Sequence, residues 1–300
     1  MKLALKIDAA TFRGTLIGVP RLVEALRQAE ARATFCFNLG PDRSGRRPGA
    51  LFGGARKGVP ALGRHGLATF FYGTLLPAPD IGRRCAGILR GVRDAGFDAG
   101  VLGWDAAAWR RSAGTATPEW TERQMRRAAA HYEKLFGEAP RFHAAADWQM
   151  NPHALRLTQR LGYGYASDTR GTHPFVPVWN GEITLCPQLP TTLPTLDELL
   201  DRDGCGVDNV HERLLALSAA APPTGHVFTL RAELEGQSLL PAFRKLLEGW
   251  KSQGYELASL GGLLESIDAG RLPRHELVRG TVPGRAGTLV LQGPAFLADA

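Results

Sequence analysis

The stretch Leu3-Ala4-Leu5-Lys6-Ile7-Asp8-Ala9-Ala10-Thr11-Phe12-Arg13-Gly14 decides the fold. A short apolar run breaks on an acid and passes through small residues to a glycine. Behind it Pro20 opens a helical spacing of Val19, Leu22, Val23 and Leu26. That order predicts one β-strand, a loop and one α-helix.

Working outward, the same unit recurs. Strands are predicted at 33–37, 97–102, 141–145, 162–166, 183–186, 226–230 and 255–258, with helices at about 81–95, 152–161, 210–220 and 241–251 between them. A longer helix starts at Thr117-Pro118-Glu119, where a hydroxyl cap, a first-turn proline and an early acid agree. Its buried face is Trp120, Met125, Ala128, Tyr132 and Leu135. Seven or eight such units without a composition break predict an α/β protein built as an irregular (β/α) barrel. A Rossmann sheet is the competing layout, but no Gly-rich dinucleotide turn follows the first strand. The barrel is expected over 1–268, with a basic insertion at about 41–67. Residues 269–300 read as a C-terminal extension that either adds a strand at 288–291 or stays loose.

Composition narrows the function classes. The chain has 300 residues, 44% hydrophobic and 22% charged, with a net charge of +7, which suits a folded globular protein. No apolar run approaches the roughly 20 residues that cross a bilayer, and Asp8 interrupts the first run before it could be a signal-peptide core. A cytoplasmic location is the expectation. Cys36, Cys85, Cys186 and Cys205 have no paired spacing and read as buried thiols.

The positive excess is local, since no Asp or Glu lies between Arg43 and Pro79 while Arg43, Arg46, Arg47, Arg56, Lys57 and Arg64 do. Two readings fit: peripheral contact with an anionic membrane, or a solvated loop beside a buried strand at 68–72. Interleaved aromatics of a single-strand nucleic-acid groove are missing, so nucleic acid is excluded as a partner.

In a βα barrel chemistry sits just past the strands. That filter selects Asp8, Asn38, Asp105, Asp147, Asp168, Arg170, Arg231 and Glu233. Gly-x-Ser-x-Gly and phosphate-loop motifs are absent.

Six segments then carry a resemblance: Ile7-Asp8-Ala9-Ala10-Thr11-Phe12-Arg13-Gly14-Thr15, Gly40-Pro41-Asp42, Ala144-Ala145-Ala146-Asp147-Trp148, Ser167-Asp168-Thr169-Arg170-Gly171, Leu189-Pro190-Thr191-Thr192-Leu193-Pro194-Thr195 and Ala232-Glu233-Leu234-Glu235-Gly236. In this order, across roughly residues 2–265, the chain resembles the polysaccharide deacetylase family of the NodB-homology type, in particular its 4-deoxy-4-formamido-L-arabinose-phosphoundecaprenol deformylase branch. The resemblance implies hydrolysis of an N-formyl or N-acetyl group on a lipid-linked amino sugar. The cofactor it implies is a divalent ion such as zinc, manganese or cobalt.

It also implies a general base at Asp8 and metal ligands at three positions that here hold Ala10, Leu102 and Ala106. A general-acid histidine is implied where Arg231 stands, and an arginine where Gln149 stands. Such an ion polarises the amide carbonyl and lowers the pKa of bound water from 15.7 toward about 7. Alanine and leucine offer it no ligand, and arginine gives up no proton near neutrality. No metal cofactor is therefore expected.

His143 and Asp147, four apart at a strand end, are a weak substitute, because strand alternation does not bring them together. A metal-free acid–base site would draw on Asp8, Asp105, Asp168 or Glu233. Asp168 and Arg170 read as a structural or substrate-orienting pair, and Asp8 is expected to survive as the ion-pair partner of Arg231. Asp105, Trp148, Asp168, Arg170, Arg231 and Glu233 are the expected substrate contacts. The sequence thus predicts a non-catalytic binding or scaffolding member for an amino-sugar or undecaprenyl-phosphate-linked sugar. The alternatives are an active amidohydrolase with a displaced metal or none, and an otherwise intact pocket whose ligands were altered.

Overall fold

The computed structural model describes residues 1–46, 67–220 and 222–297. Its centre is the predicted first strand, β1 (Lys2–Ala9), whose residues after Lys2 are all buried. Burial on both faces is the state of a central parallel strand with helices outside, which is why the run is nearly continuously apolar.

In chain order the units are α1 (Val19–Gln28), β2 (Thr34–Asn38), α2 (Ile81–Arg84), α3 (Ala86–Asp94), β3 (Asp98–Gly103), α4 (Ala106–Ser112), α5 (Pro118–Phe136), β4 (Phe142–His143), α6 (Pro152–Arg160) and β5 (Tyr165–Ala166). Then come β6 (Val176–Trp179), β7 (Glu182–Ile183), α7 (Leu196–Leu199), α8 (Val210–Leu217), β8 (His226–Arg231), α9 (Leu240–Ser252), β9 (Glu256–Ala258), α10 (Leu260–Leu264), β10 (Arg274–Gly280) and β11 (Leu289–Ala295).

The predicted cap of α5 is present: the Thr117 side chain accepts from Trp120 N. Met125, Ala128 and Tyr132 are buried as expected, with Trp120 and Leu135 half-buried. The helix predicted over 81–95 breaks at Cys85 into α2 and α3. The strand expected at 68–72 is instead a 3-10 turn, Leu67–Phe70, and the one expected at 183–186 shrinks to Glu182–Ile183. Short apolar runs do not distinguish these states by periodicity. Of the basic stretch, residues 47–66 lie outside the described residues.

The parallel sheet runs β5-β4-β3-β2-β1-β8, with β9 pairing the N-terminal half of β1. β5 and β8 do not pair directly, so the sheet is a curled half-barrel. An irregular strap, residues 187–193, crosses the gap. Ala166 N donates to Pro187 O and Leu189 N to Ala166 O on one side, while Thr192 N donates to Val227 O on the other.

A second sheet, β11-β10-β6-β7, lies beside this seam. Its C-terminal strands are docked by backbone bonds from Arg170 N to Val290 O and from Gln292 N to Arg170 O.

One close approach fixes the packing of the helical turn Gly14–Gly18, which leads into α1, on the β8–α9 connection. A Cβ at Gly18 would lie 1.9 Å from Ala232 O, and one at Gly236 would lie 2.5 Å from the same oxygen. Backbone atoms cannot give way as side chains do. Gly18→Ala is expected to destabilise the fold by about 1–3 kcal/mol through overpacking, read as a lower urea midpoint with an unchanged m-value.

Candidate functional site

The carboxyl ends of β1, β3 and β8 meet around a cavity of about 60 Å³ lined by Asp8, Ala10, Leu102, Arg110, Asp147 and Arg231, among others. That is room for a few water molecules. Asp8 is buried, with Oδ1 3.6 Å from Lys6 Nζ and no hydrogen-bond partner. Burial raises the Asp8 pKa; Lys6 and Arg231 oppose this. Lys6 itself is fully buried and donates to Ser167 O at 2.9 Å.

The centre of the site is Asp147. Arg110 Nε lies 2.8 Å from its Oδ2, while Arg231 Nη2 and Arg285 Nη1 lie 3.3 and 3.2 Å from its Oδ1. Burial alone would raise its pKa, but Arg110, Arg285 and Arg231 together hold it well below the usual carboxylate range. The network continues through Arg231 Nη1 to Asp197 Oδ2 at 3.0 Å and through Arg285 Nε to Glu198 Oε1 at 3.0 Å. Arg170 Nη1 binds Glu198 at 2.8 and 3.0 Å. Asp147 and the adjacent Trp148 both hold left-handed backbone, with φ of 54° and 53°, a strained state for side chains of this size.

The sequence-predicted residues divide sharply. Arg231 lines the cavity, but its expected contact with Asp8 is not there. The two are Cα partners on neighbouring strands, yet the guanidinium reaches Asp147 and Asp197, two carboxylates that together use its fork better than one. Lys6, on the same face of β1, is the cation beside Asp8.

Glu233 reaches the cavity wall, where Oε1 accepts from Ala10 N, Thr11 N and Thr11 Oγ1 at 2.8–2.9 Å. It therefore holds the loop after β1. Asp105 caps α4, accepting from Ala108 N, and binds Arg43 at 2.7 Å. Trp148 is buried, donates to Thr191 Oγ1 at 3.0 Å, and has Arg170 and Arg285 over its ring at 4.9 and 4.7 Å.

The expected Asp168 and Arg170 pair is also replaced: Asp168 donates its backbone N–H to Gln188 Oε1, accepts from Gln188 Nε2 and sits 2.8 Å from His143 Nδ1, while Arg170 goes to Glu198. His143 is thus tied to Asp168 and not to Asp147. Arg110, Asp197, Glu198 and Arg285 were not singled out by sequence reasoning. Two of them left a signal: Arg110 lies one helical turn beyond Ala106 and so on the same face, and Glu198 completes a capping box with Thr195 at the start of α7.

The donor set does not fit a divalent ion. Among the described residues no three His, Cys, Asp or Glu side chains come together to hold one, and the charged groups facing Asp8 and Asp147 are Lys6 and arginines.

No protein-family model matches the chain. A protein of Shewanella sediminis named as a probable 4-deoxy-4-formamido-L-arabinose-phosphoundecaprenol deformylase, ArnD, is 32% identical over 294 residues, covering 96% of this chain and 93% of that protein. The chain belongs to the polysaccharide deacetylase family, in its deformylase branch. A protein of the same name from Wigglesworthia glossinidia brevipalpis is 25% identical over 93% of this chain and 98% of its own length.

Solved structures agree on the fold. A protein of Mycobacterium smegmatis classed as a polysaccharide deacetylase superposes with a TM-score of 0.63 at 16% identity, covering 94% of this chain and 95% of its own. A family 4 acetyl xylan esterase from Clostridium thermocellum, solved with cobalt, gives 0.54 at 13% identity over 90% of this chain and 94% of its own. The cavity wall holds Ala10 and Leu102, and an arginine-bound carboxylate occupies the middle of the site.

Two outcomes test this electrostatic description. Asp147→Ala leaves three guanidinium groups without their shared counter-charge and is expected to cost about 3–5 kcal/mol of stability, measured by denaturant unfolding. Glu235 is buried, which pushes its carboxyl up to about 8, although its Oε2 accepts from Arg231 N. A pKa raised in the folded state contributes stability that is complete below the unfolded value and lost as pH rises toward 8. Glu235→Gln should therefore match the parent below pH 4 and be the more stable protein at pH 8.5.

Proposed function

We propose that this chain is a non-catalytic member of the family that binds an amino sugar carried on a lipid phosphate without removing its acyl group. The observation that carries this reading is the residue set at four positions, Ala10, Leu102, Ala106 and Arg231. Hydrolysis of a formamide needs a polarised carbonyl, an activated water and a proton for the leaving amine. Among the described residues no three His, Cys, Asp or Glu side chains stand together here to hold an ion. Asp8 is a carboxyl whose burial favours its neutral form, and Arg231, paired with two acids, has its pKa raised further still. The sugar class comes from the relatives, which are named for a formamido-arabinose on phosphoundecaprenol.

The test is formate release from that lipid-linked substrate, with zinc, manganese or cobalt supplied. The parent chain is expected to release none. Steady turnover by the parent would sink the reading. Installing Ala10→Asp, Leu102→His, Ala106→His and Arg231→His together asks whether the rest of the pocket still accepts substrate, and formate release by that variant would show that it does.

The same reading puts the protein at the surface of an anionic membrane through the basic stretch that begins at Arg43. No described helix is long and apolar enough to cross one. Co-flotation with anionic vesicles at low salt, lost at high salt, is the expected result; no flotation at low salt would remove the membrane from the proposal.

A further inference from the structure

The second sheet carries a pair of histidines that neither the pocket nor its chemistry uses. His173, just past Arg170, and His275, on β10, face each other with Nε2 atoms 3.1 Å apart. Which nitrogens carry protons follows from their partners. The backbone N–H of Thr172 donates to Gln292 Oε1 at 2.7 Å, which fixes the orientation of that amide. Gln292 Nε2 must then donate to His173 Nε2, 3.0 Å away. So His173 is bare at Nε2 and carries its proton on Nδ1, 2.9 Å from Thr172 Oγ1. His275 Nδ1 stands 2.9 Å from Gly293 O, an atom that can only accept. Neutral His275 is therefore bare at Nε2 as well.

Two lone pairs at this separation repel unless a cation lies between them. The ring centroids are 4.9 Å apart at 72°, closer than an end-to-end arrangement would put them. The rings thus do not point straight at each other along the line between the nitrogens, which is also true of two ligands of one ion. An ion about 2.0 Å from each nitrogen fits a 3.1 Å separation.

We propose that His173 and His275 form a site for a transition-metal ion of the zinc, nickel or copper type, with solvent completing its coordination. Imidazole suits these ions. Each ring already has the second-nitrogen contact that orients metal-binding histidines, Gly293 O for His275 and Thr172 Oγ1 for His173. Both side chains are half-buried and so reachable from solvent. The ion displaces the Gln292 N–H, whose carbonyl stays on Thr172. Bound there, it clips the loop at Thr172 and His173 to the β10–β11 sheet.

The experiment is calorimetric titration of the full chain, freed of chelator and any affinity tag, with zinc and then nickel salts. One ion per chain is expected, with a melting temperature that rises with ion concentration. His173→Gln and His275→Gln should each weaken binding by at least the roughly 10- to 100-fold that losing an orienting partner costs. His153→Gln, which changes a histidine paired with Arg156 on α6, should leave binding unchanged. Melting without metal verifies that each variant is folded. Equal binding by the parent and both variants overturns the site. So does a parent that takes up no ion while imidazole 15N shifts show a proton shared between the two rings.

Discussion

A single carboxylate, that of Asp147, organises the site. Arg110 comes to it from α4, Arg231 from the end of β8 and Arg285 from the link between β10 and β11. Burying so much charge is tolerable only because each guanidinium finds an oxygen and each carboxylate several donors. The left-handed backbone at Asp147 and Trp148 is part of the same arrangement. A local cost on the order of 1–3 kcal/mol per residue persists where the surroundings over-determine the conformation.

This explains how the barrel holds so much buried charge around its cavity. Ala10, Leu102 and Ala106 add no charge to the floor of the cavity, and Leu102 and Ala106 pack into the apolar cluster behind it. Positive charge comes instead from fixed side chains. A guanidinium gives up no proton near neutrality, so under the proposed reading the site keeps a counter-charge without keeping a reagent.

Much of this was legible in the sequence where one local rule governed. The alternation of strand and helix gave the barrel, and the Thr117 cap gave α5, because periodicity and capping act over a few residues. Register alone placed Asp8 beside Arg231 but could not say which carboxylate the long guanidinium would reach. Arg285 was out of reach for the same reason. It sits in a Gly- and Pro-flanked turn with no periodic signal, and its partners Asp147 and Glu198 lie 138 and 87 residues away. Long-range charge pairing leaves no pattern in the chain, whereas the residues that the resemblance singled out could be read one position at a time.

The strap across the barrel seam has a consequence of its own. It carries Thr191, which holds the Trp148 indole and lies 2.6 Å from Thr229 on β8, and its backbone is bonded to Ala166, Thr169, Gly171 and Phe175 on one side and to Val227 on the other. A buried segment tied on both sides opens only together with the strands it joins. The strap therefore does for the seam what a strand pair does elsewhere, and the indole on which Arg170 and Arg285 rest is held by the wall of the barrel itself.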